Sequence, residues 1–324
     1  MFKPETKKDI REILLMPFEE FKNTVMPEAK KTYKEQNNDL LRAVAMLGFD
    51  NICKNQCLYC GMGAGNHTLE RYRIDPETII LSAQAAYNLG FRQIFLISGE
   101  DPKYGFNNLL KISEQIKKLG FWLSMACGEF CREQYQALRA AGVDEYVLKF
   151  ETSNEKDFNR LKPNTTFAKR LNCIKWIKQS GMALASGNIV DYPGQTLDDL
   201  CEDILLMRKL QISWAPVIPY QPAKNTPLAQ EGGRGSLELN LKEIAILRLM
   251  MPKINITAQQ PGENETKGLA DEEGNLNALN AGANTLFADL LPDTLAKIFS
   301  VVDNRTVLGL EHIRKMAELS KMNC

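Results

Sequence analysis

The sequence predicts an α/β fold, a parallel (β/α)8 TIM barrel with an N-terminal helical extension. Short apolar segments alternate with amphipathic segments from about residue 41 onward, a pattern typical of parallel strands joined by helices. Eight such strand–helix units fit into the chain, which is the number that closes a barrel. We expect residues 1–40 to form helices that pack on the barrel and residues 41–324 to form the barrel itself. An open doubly wound sheet is the alternative.

The segment before the first strand predicts two helices, over 5–15 and 17–36, because its apolar residues recur at helical spacing. Each predicted barrel strand is a short apolar run of ordinary strand length. The predicted strands cover 43–49, 92–98, 121–126, 145–150, 182–190, 213–219, 254–258 and 283–288. Since the catalytic groups of this fold come from the C-terminal ends of the strands, we expect function at that end of the barrel.

Capping residues mark the helices between the strands. Asp75 and Pro76 begin a helix over 76–89, with the aspartate at the cap and the proline at the first helical position. Thr196 begins another helix over 196–210. Several helices end in a glycine that leads directly into the next strand. These glycines are Gly90, Gly120, Gly142 and Gly181.

Composition and charge exclude several classes of protein. Lys+Arg and Asp+Glu are both 40 among 324 residues, so the chain lacks the basic excess of a nucleic-acid-binding protein. The N-terminus is charged and has no apolar segment of the kind that a secretory signal needs, and no run of 18 apolar residues predicts a membrane span. Eight cysteines without an export signal predict a reducing, cytoplasmic location. We expect no nucleic-acid partner and no membrane partner.

The most informative segment is C-K-N-Q-C-L-Y-C, which places Cys53, Cys57 and Cys60 on the loop after the first strand. Three thiolates can each hold one iron of a 4Fe–4S cube and leave the fourth iron open. An open iron can chelate an adjacent amine and carboxylate, such as those of S-adenosylmethionine. One electron from the cluster then cleaves the sulfonium and produces a carbon radical. An exposed, oxygen-labile cluster of this kind further predicts anaerobic chemistry.

A structural zinc site is the alternative for these cysteines, because zinc also takes cysteine ligands at short spacing. Such a site normally needs four ligands, and the nearby fourth candidate is His67. A disulfide is not expected, since the three cysteines are close together and odd in number. The remaining cysteines have no assigned redox or ligand role, although the first two follow the third strand and could face a cavity. They are Cys127, Cys131, Cys173, Cys201 and Cys324.

Further motifs follow in a fixed order. They are R-Y-R-I-D-P-E-T-I (71–79), S-G-E-D-P-K-Y (98–104), G-E-F-C-R-E (128–133), K-F-E-T-S-N (149–154), F-A-K-R-L-N-C (167–173), Y-P-G-Q-T-L-D-D-L (192–200), T-P-L-A (226–229), L-R-L-M-M-P (247–252) and L-N-A-G-A-N (279–284). From Asn51 to about Leu290 the chain therefore resembles one branch of the radical-SAM superfamily. That branch holds biotin synthase, the FeFe-hydrogenase maturase of the HydE type and methylornithine synthase (PylB). The resemblance implies a 4Fe–4S cluster and S-adenosyl-L-methionine as cofactors, with Cys53, Cys57 and Cys60 as metal ligands and catalytic centre.

The resemblance also assigns residues to the methionyl part of S-adenosylmethionine. Ser98, Gly99 and Glu100 end the second strand and are expected to bind the ammonium. A buried charge needs a partner, and a carboxylate beside a fixed ammonium meets that need. Arg170 matches the position that clamps the methionyl carboxylate, a role that suits a planar guanidinium.

Three more cofactor contacts are implied by the same resemblance. Tyr59 lies between two ligands, where family members place an aromatic ring near the adenine, with loop packing as the alternative. Glu151 ends the fourth strand and resembles a residue that contacts the cofactor's amino group or ribose. Ile189 and Val190 offer apolar contact to the adenine, with plain barrel core as the alternative, and the core alternative is favoured more for Ile189 than for Val190.

Five residues are assigned to the substrate. The segment I-T-A-Q-Q matches the one that lines the substrate side of the barrel in these relatives, and it supplies Thr257, Gln259 and Gln260. Methylornithine synthase has an acidic residue there, where this chain has neutral amides. Arg248 matches a carboxylate-binding arginine of that enzyme, with a helix-surface arginine as the alternative. Glu129, in the G-E-F-C-R-E motif, is the fifth.

We therefore expect a radical-SAM enzyme of the HydE-like maturase type, whose 5′-deoxyadenosyl radical acts on a small amino-acid-derived substrate. Flavodoxin or ferredoxin is the expected kind of electron donor. One alternative is an amino-acid mutase resembling methylornithine synthase, and another, of a different class, is a non-catalytic zinc or iron–sulfur binding protein. A second C-terminal cluster is not expected, because only Cys324 follows Cys201. Its absence argues against sulfur insertion of the biotin synthase type.

Overall fold

The structure is a computed structural model that describes residues 2–324. Within this range the strands are β1 (Arg42–Asp50), β2 (Gln93–Ser98), β3 (Trp122–Ala126), β4 (Glu145–Val147), β5 (Ala183–Ala185), β6 (Ile189–Val190), β7 (Trp214–Ala215), β8 (Ile218–Pro219), β9 (Asn255–Ile256) and β10 (Thr285–Asp289). Eight of them form one parallel sheet in the order β10–β1–β2–β3–β4–β5–β7–β9. This order follows the chain around a barrel, so the predicted (β/α)8 fold is confirmed.

The two strands at the ends of that order, β10 and β9, also meet each other, so the sheet closes into a barrel. β1 pairs with β2 on one side and with β10 on the other, where Ala45 lies opposite Ala288. On the far side β9 meets β10 through a parallel bridge between Thr257 and Thr285. The Ala258 N–H then donates to the Thr285 carbonyl at 2.8 Å. Closure pairs the backbone groups that an open sheet would leave at its edges.

Helices surround the barrel. They are α1 (Lys7–Leu15), α2 (Phe18–Asn23), α3 (Val25–Asn37), α4 (Pro76–Asn88), α5 (Phe106–Lys118), α6 (Arg132–Ala140), α7 (Glu155–Leu161), α8 (Phe167–Gln179), α9 (Leu197–Leu210), α10 (Leu237–Met250), α11 (Glu272–Asn280), α12 (Asp293–Ala296) and α13 (Leu310–Ser320). The N-terminal helix α1 packs on α9 and α10, and α3 packs on α10 and α11. A division of the chain into two units at residue 40 stays a prediction. No helix among residues 2–324 combines the length and apolar character needed to cross a membrane.

One predicted helix is divided in the structure. The single helix expected over 17–36 is wrong, because α2 ends and α3 begins at Thr24, whose backbone (φ −124°, ψ −66°) leaves the helical region. Pro27 supplies the physical reason: proline has no N–H, and its ring clashes with the carbonyl four residues earlier. The Thr24 hydroxyl instead donates to the Glu20 carbonyl at 2.7 Å.

Two predicted strands are also divided. The expected strands over 182–190 and 213–219 each break into a barrel strand and a short outer strand, and the two outer strands, β6 and β8, pair with each other. Pro216 lies at the second break and cannot donate to a ladder. Gly187 lies at the first, where a Cβ would come within 3.1 Å of a Val217 methyl group. The outer pair extends this side of the barrel beyond its C-terminal end.

The barrel interior is layered. At its N-terminal base, Glu145 accepts hydrogen bonds from Ser124 and Ser213 at 2.7 Å each, and Arg42 lies 3.8 Å from the same carboxylate. Above this polar layer, aromatic and aliphatic side chains fill the barrel. The base is therefore plugged, and open space lies towards the C-terminal ends of the strands.

Candidate active site

Cys53, Cys57 and Cys60 lie on the loop after β1, at the C-terminal end of the barrel. Their thiols are free and half-buried, and all three line one cavity of about 360 Å³. Burial raises the pKa of the Cys60 thiol to about 12, so its thiolate needs a compensating positive charge such as bound iron. Among residues 2–324, no three histidine, cysteine, aspartate or glutamate side chains converge closely enough to hold a single metal ion. A cube distributes its three thiolates over three irons and needs no such convergence.

Two glycines bring neighbouring strand ends close to the cysteine loop. Gly99 follows β2, and a Cβ there would lie 2.1 Å from the Ile52 carbonyl oxygen and 2.9 Å from the Cys53 Cβ. Gly128 follows β3 with φ +94°, and a Cβ there would lie 2.3 Å from the Cγ of Glu100. Neither position has room for a side chain. The close cradle and the three thiols fit a thiolate-bound cluster.

Glu100 links the end of β2 to the cysteine loop. Its backbone N–H donates to the Cys53 sulfur at 3.4 Å, and its carbonyl accepts from the Lys54 N–H at 2.9 Å. Its carboxylate accepts from the Asn55 amide at 2.9 Å and from the Lys54 ammonium at 2.7 Å. Ser98 and Gly99 line the same cavity. The structure thus brings the predicted S-G-E segment against the predicted cluster ligands.

Arg170 lies on the cavity wall near the start of α8 and is almost fully buried. Its Nε donates to Glu129 at 2.8 Å, and its Nη1 donates to the Lys149 carbonyl. Burial alone would lower the pKa of Arg170, but Glu129 and Glu151 outweigh it and raise the pKa. The guanidinium is therefore charged and held in position. Glu129 is its partner rather than a lining residue of the cavity.

Glu151 has a left-handed backbone, with φ +64°, a conformation that non-glycine residues rarely adopt. A parallel bridge to Asn188 holds it there. Its carboxylate lies 3.6 Å from the Lys149 ammonium and 4.0 Å from that of Lys162. Burial would raise the pKa of Glu151, but these two lysines and Arg170 lower it. An ionised carboxylate is thus fixed on the cavity wall.

Lys162 is a site residue that the sequence reasoning missed. Its ammonium lies 3.2 Å from the Cys57 sulfur and 3.2 Å from the Tyr59 hydroxyl, and also 5.6 Å from the centre of the Tyr59 ring. It caps the C-terminus of α7 just before Pro163. The sequence analysis assigned no element or role to this segment; Pro163 marks a helix end but gives no signal for a contact with the cysteines.

The apolar contacts around Tyr59 differ from the prediction. Tyr59 packs against a cluster that contains Ile189, Tyr192 and Tyr220. Ile189 lines the cavity, whereas Val190 is fully buried in the core and does not line it. Successive residues of a strand point to opposite sides, so the structure brings Ile189, and not the predicted Val190, to the cavity wall.

The floor of the cavity is aromatic. Phe95, Trp214 and Phe287 lie in mutual contact, with ring centres 5.3–6.0 Å apart, and all three line the cavity. Thr257 lines it too, and its hydroxyl accepts from the Trp214 indole N–H at 2.9 Å. Gln259 is not a lining residue; its side-chain oxygen accepts from the Phe287 N–H at 3.3 Å.

The predicted substrate role of Arg248 is wrong. Its side chain is fully buried near the C-terminal end of α10, at the base of the barrel. It donates to the carbonyls of Gly282 at 2.7 Å, Pro252 at 2.7 Å and Ile254 at 2.8 Å. The last two precede β9 and the first precedes β10. Arg248 therefore satisfies backbone groups at the end of the barrel opposite the cysteines.

Gln260 is also turned away from the cavity. Its side-chain N–H groups donate to the carbonyls of Val217 at 2.8 Å and Thr257 at 2.9 Å, and its oxygen accepts from Asn240 at 3.0 Å. A fully hydrogen-bonded, buried amide is a structural brace, so the substrate assignment of Gln260 is wrong. The five cysteines outside the loop are not among the residues that line the cavity.

Comparisons with known proteins agree with this geometry. A family model described as "Radical SAM superfamily" matches residues 49–207. The chain is 33% identical over 296 residues to the [FeFe] hydrogenase maturase subunit HydE of Thermotoga maritima, covering 91% of this chain and 83% of that protein. It is 27% identical over 289 residues to 3-methylornithine synthase of Methanosarcina acetivorans, covering 88% and 80%. With biotin synthase of Ectopseudomonas mendocina it shares 26% identity over 294 residues, covering 87% and 79%.

Solved structures show the same barrel. Methylornithine synthase (PylB) aligns with a TM-score of 0.85 at 24% identity, covering 98% of this chain and 93% of that one. The FeFe-hydrogenase maturase HydG from Carboxydothermus hydrogenoformans aligns with a TM-score of 0.81 at 20% identity, covering 97% and 74%. At these identities the likeness is one of fold.

Proposed function

Because this chain belongs to the radical SAM superfamily, we propose that it directs a 5′-deoxyadenosyl radical at a small amino-acid-derived substrate, in a reaction of the hydrogenase-maturase type. The chain is an enzyme of a superfamily whose members use a 4Fe–4S cluster and S-adenosylmethionine. When bound, the cluster supplies the electron that cleaves S-adenosylmethionine into methionine and the radical. The observation that carries the proposal is the meeting of Cys53, Cys57 and Cys60 with Glu100 and Arg170 on one cavity wall.

The charged wall suits the methionyl end of S-adenosylmethionine. Glu100, with Ser98 and Gly99 beside it, is placed to pair an ammonium close to the cysteine loop. Arg170 is charged and held by Glu129, so it can pair a carboxylate without first having to be ordered. The two charges of one zwitterion thus find partners of opposite sign on the wall.

The other end of the cofactor needs apolar and hydrogen-bonding contacts. Tyr59 and Ile189 offer a ring and an aliphatic surface for adenine. The fixed Glu151 carboxylate can accept hydrogen bonds from ribose hydroxyls or from an amino group. We assign Ile189 to this contact in place of Val190.

The substrate end is the uncharged floor formed by Phe95, Trp214 and Phe287. An ammonium placed against these rings would lose its hydration, and the Arg42 guanidinium, which already lies 5.8 Å from the Trp214 ring centre, would repel it. We infer that the part of the substrate reaching the floor is uncharged, with Thr257 as the polar contact. This supports the maturase-type reading over a mutase that must hold the far ammonium of a diamino acid.

The first test addresses the shared chemistry. Anaerobically reconstituted protein is expected to carry about one 4Fe–4S cluster, since three thiols are available on the loop. With dithionite and S-adenosylmethionine it is expected to release 5′-deoxyadenosine and methionine slowly, even without substrate. Zinc with no iron after anaerobic purification would instead support a non-catalytic binding protein and overturn the proposal.

The second test uses label transfer to distinguish the maturase-type reaction from a methylornithine-synthase-like reaction. Deuterated amino acids are incubated with the reduced enzyme and S-adenosylmethionine, and deuterium is measured in the 5′-deoxyadenosine. We expect little transfer from lysine, whose charged tail would reach the floor. Thr257→Val leaves the aromatic rings in place and serves as the matched variant for the polar contact. Efficient transfer from lysine would favour the methylornithine-synthase-like reaction.

The electron donor is proposed to be a small reducing protein such as flavodoxin or ferredoxin, in the reducing interior of the cell. Half-exposed Lys54 and exposed Gln56 put part of the cysteine loop at the surface, where such a protein could approach. Reduction of the cluster by either protein, measured by the loss of visible absorbance, tests this.

A further inference from the structure

The side chain of Arg71 is the centre of a hydrogen-bond cluster that the proposed chemistry does not use. Its Nη1 donates to the carbonyls of Asn51 and Met62 at 2.7 Å each. Its Nη2 donates to the carbonyls of Gly63 at 2.7 Å and Asn66 at 3.1 Å. The first acceptor precedes the three cysteines and the other three follow them. One guanidinium therefore ties together both ends of the cysteine loop, residues 51–66.

The cysteine loop has little regular structure of its own, since residues 51–66 form no helix or strand. Short turns give it local order: the Gly63 N–H donates to the Cys60 carbonyl at 3.0 Å, and the Ala64 N–H donates to the Asn55 carbonyl at 2.8 Å. Further bonds join the loop to neighbouring segments, from the Leu58 N–H to the Leu161 carbonyl at 2.9 Å and from the Gly61 N–H to the Val301 carbonyl at 3.2 Å. Those bonds hold the middle of the loop, whereas the four Arg71 bonds join its two ends.

Arginine suits this position better than any other residue. Its planar fork carries five N–H donors in fixed directions, whereas lysine has three donors on one atom. The four acceptors are backbone carbonyls, and none of the contacts involves a thiol. The clamp therefore acts on the shape of the loop without touching an iron ligand.

We propose that Arg71 is a positioning residue that holds the cysteine loop in its cluster-binding shape. It acts through the backbone, before and after the cluster is assembled, and it limits how readily iron leaves. The inference rests on the proposed function, because the loop is taken to be the cluster site. It also explains physically why R-Y-R-I-D-P-E-T-I begins with an arginine at this spacing after the cysteines.

The variants are Arg71→Gln, Arg71→Lys and a matched control, Arg92→Gln. Arg92 also donates to backbone carbonyls, those of Tyr87 at 3.0 Å and Phe91 at 2.8 Å, but at the opposite end of the barrel. Hydrogen exchange by mass spectrometry is measured on the iron-free proteins over residues 51–66. Loss of iron to a chelator is measured on the anaerobically reconstituted proteins.

Arg71→Gln is expected to speed exchange in residues 51–66 at least tenfold while the barrel strands keep their protection. Iron is expected to leave at least tenfold faster than in the wild type. Arg71→Lys is expected to give exchange and iron-release rates between those of Arg71→Gln and the wild type. Arg92→Gln is expected to match the wild type in both measurements.

Two outcomes would overturn the inference. One is an Arg71→Gln protein whose loop protection and iron release equal those of the wild type. The other is a uniform loss of protection across the whole chain, which would make Arg71 a general stabiliser. If the wild type itself forms no cluster, the proposed function fails, whereas the exchange result on iron-free protein still decides the clamp.

Discussion

Two buried arginines at opposite ends of the barrel show how one residue type serves two purposes. Arg170, at the cysteine end, pairs with Glu129 and lies among carboxylates that raise its pKa. Arg248, at the base, is surrounded by backbone carbonyls, and burial without a carboxylate partner lowers its pKa to about 10. The first is a charge held ready on a cavity wall. The second donates hydrogen bonds to backbone carbonyls that precede β9 and β10.

The comparison predicts that residues at the cysteine end of the barrel serve function, whereas residues at the base serve stability. Variants at the cysteine end should abolish or weaken chemistry while the fold survives. Variants at the base should weaken the fold while the assembled site keeps its ligand affinity. This division agrees with the general contrast between the two faces of such barrels.

Cys57→Ala is expected to have the largest effect, because it removes one of three cluster ligands. Reconstituted protein should lack the 4Fe–4S charge-transfer spectrum and release no 5′-deoxyadenosine. Cys324→Ala is the control, since that exposed thiol lies outside the cavity. A Cys57→Ala protein with normal iron content would remove Cys57 from the ligand set.

Arg248→Met is expected to be the next largest change, and to appear in stability alone. Several buried carbonyls would lose their donor, which lowers the free energy of unfolding by about 3 kcal/mol. Denaturant unfolding of the iron-free protein measures this. Unchanged stability would instead show that Arg248 does not hold the base of the barrel together.

Arg170→Met should show the reverse pattern. Loss of a charge-assisted pair is expected to weaken S-adenosylmethionine binding by about 1.5–3 kcal/mol, roughly 10- to 150-fold. The unfolding free energy should change less than in Arg248→Met, because Glu129 keeps the Lys169 ammonium at 3.1 Å and the Thr165 hydroxyl at 2.8 Å as partners. Equilibrium binding to the reconstituted protein is the measurement. An unchanged affinity would take Arg170 out of the cofactor site.

The sequence analysis assigned both arginines to the site, whereas their positions within the helices predict that they lie at opposite ends of the barrel. In a strand–helix unit the helix returns towards the base, so residues early in a helix lie near the functional end. Arg170 is the fourth residue of α8, whereas Arg248 is two residues from the end of α10. The sequence analysis followed the motif match for Arg248 instead of its position near the end of the helix. The structure shows that the helix position was the better guide.

Other features of the site had weaker signals or none. The cysteine run and the S-G-E segment were readable because their chemistry needs adjacent residues. The aromatic floor could not be predicted as a unit, since Phe95, Trp214 and Phe287 come from strands far apart in sequence. The direction in which the Ile189 side chain points depends on where its strand breaks. The sequence pattern does not determine the position of that break.

Between the two ends lies a buried acid that can sharpen the comparison. Glu243, on α10, is fully buried and neither of its oxygens has a hydrogen-bond partner; the Asn188 side-chain oxygen also lacks one. Burial and the nearby Asp203 carboxylate hold the pKa of Glu243 well above its usual range, although the Asn188 side chain lowers it. Protonation removes the buried charge and gives Glu243 an O–H donor that suits the unpartnered Asn188 oxygen. Asn188 in turn pairs with the strained backbone of Glu151.

The smallest expected effect is therefore a pH dependence. Above pH 4.5 the unfolded chain releases the Glu243 proton while the folded chain keeps it, so stability falls as pH rises. One such group contributes a slope of about 1.4 kcal/mol per pH unit. Asp203, whose pKa burial raises to about 7, adds to the same slope below that pH.

Glu243→Gln should remove the contribution of Glu243 to this pH dependence of stability and leave that of Asp203. Its amide can still donate to Asn188, so activity should be retained, whereas Glu243→Leu leaves the Asn188 oxygen unpartnered and should disturb Glu151. Denaturant unfolding of the iron-free proteins between pH 5 and 6.5 gives the slopes. If Glu243→Gln keeps the full wild-type slope, Glu243 is not the neutral acid that this geometry requires, and the link from α10 to the cofactor wall through Asn188 has no support.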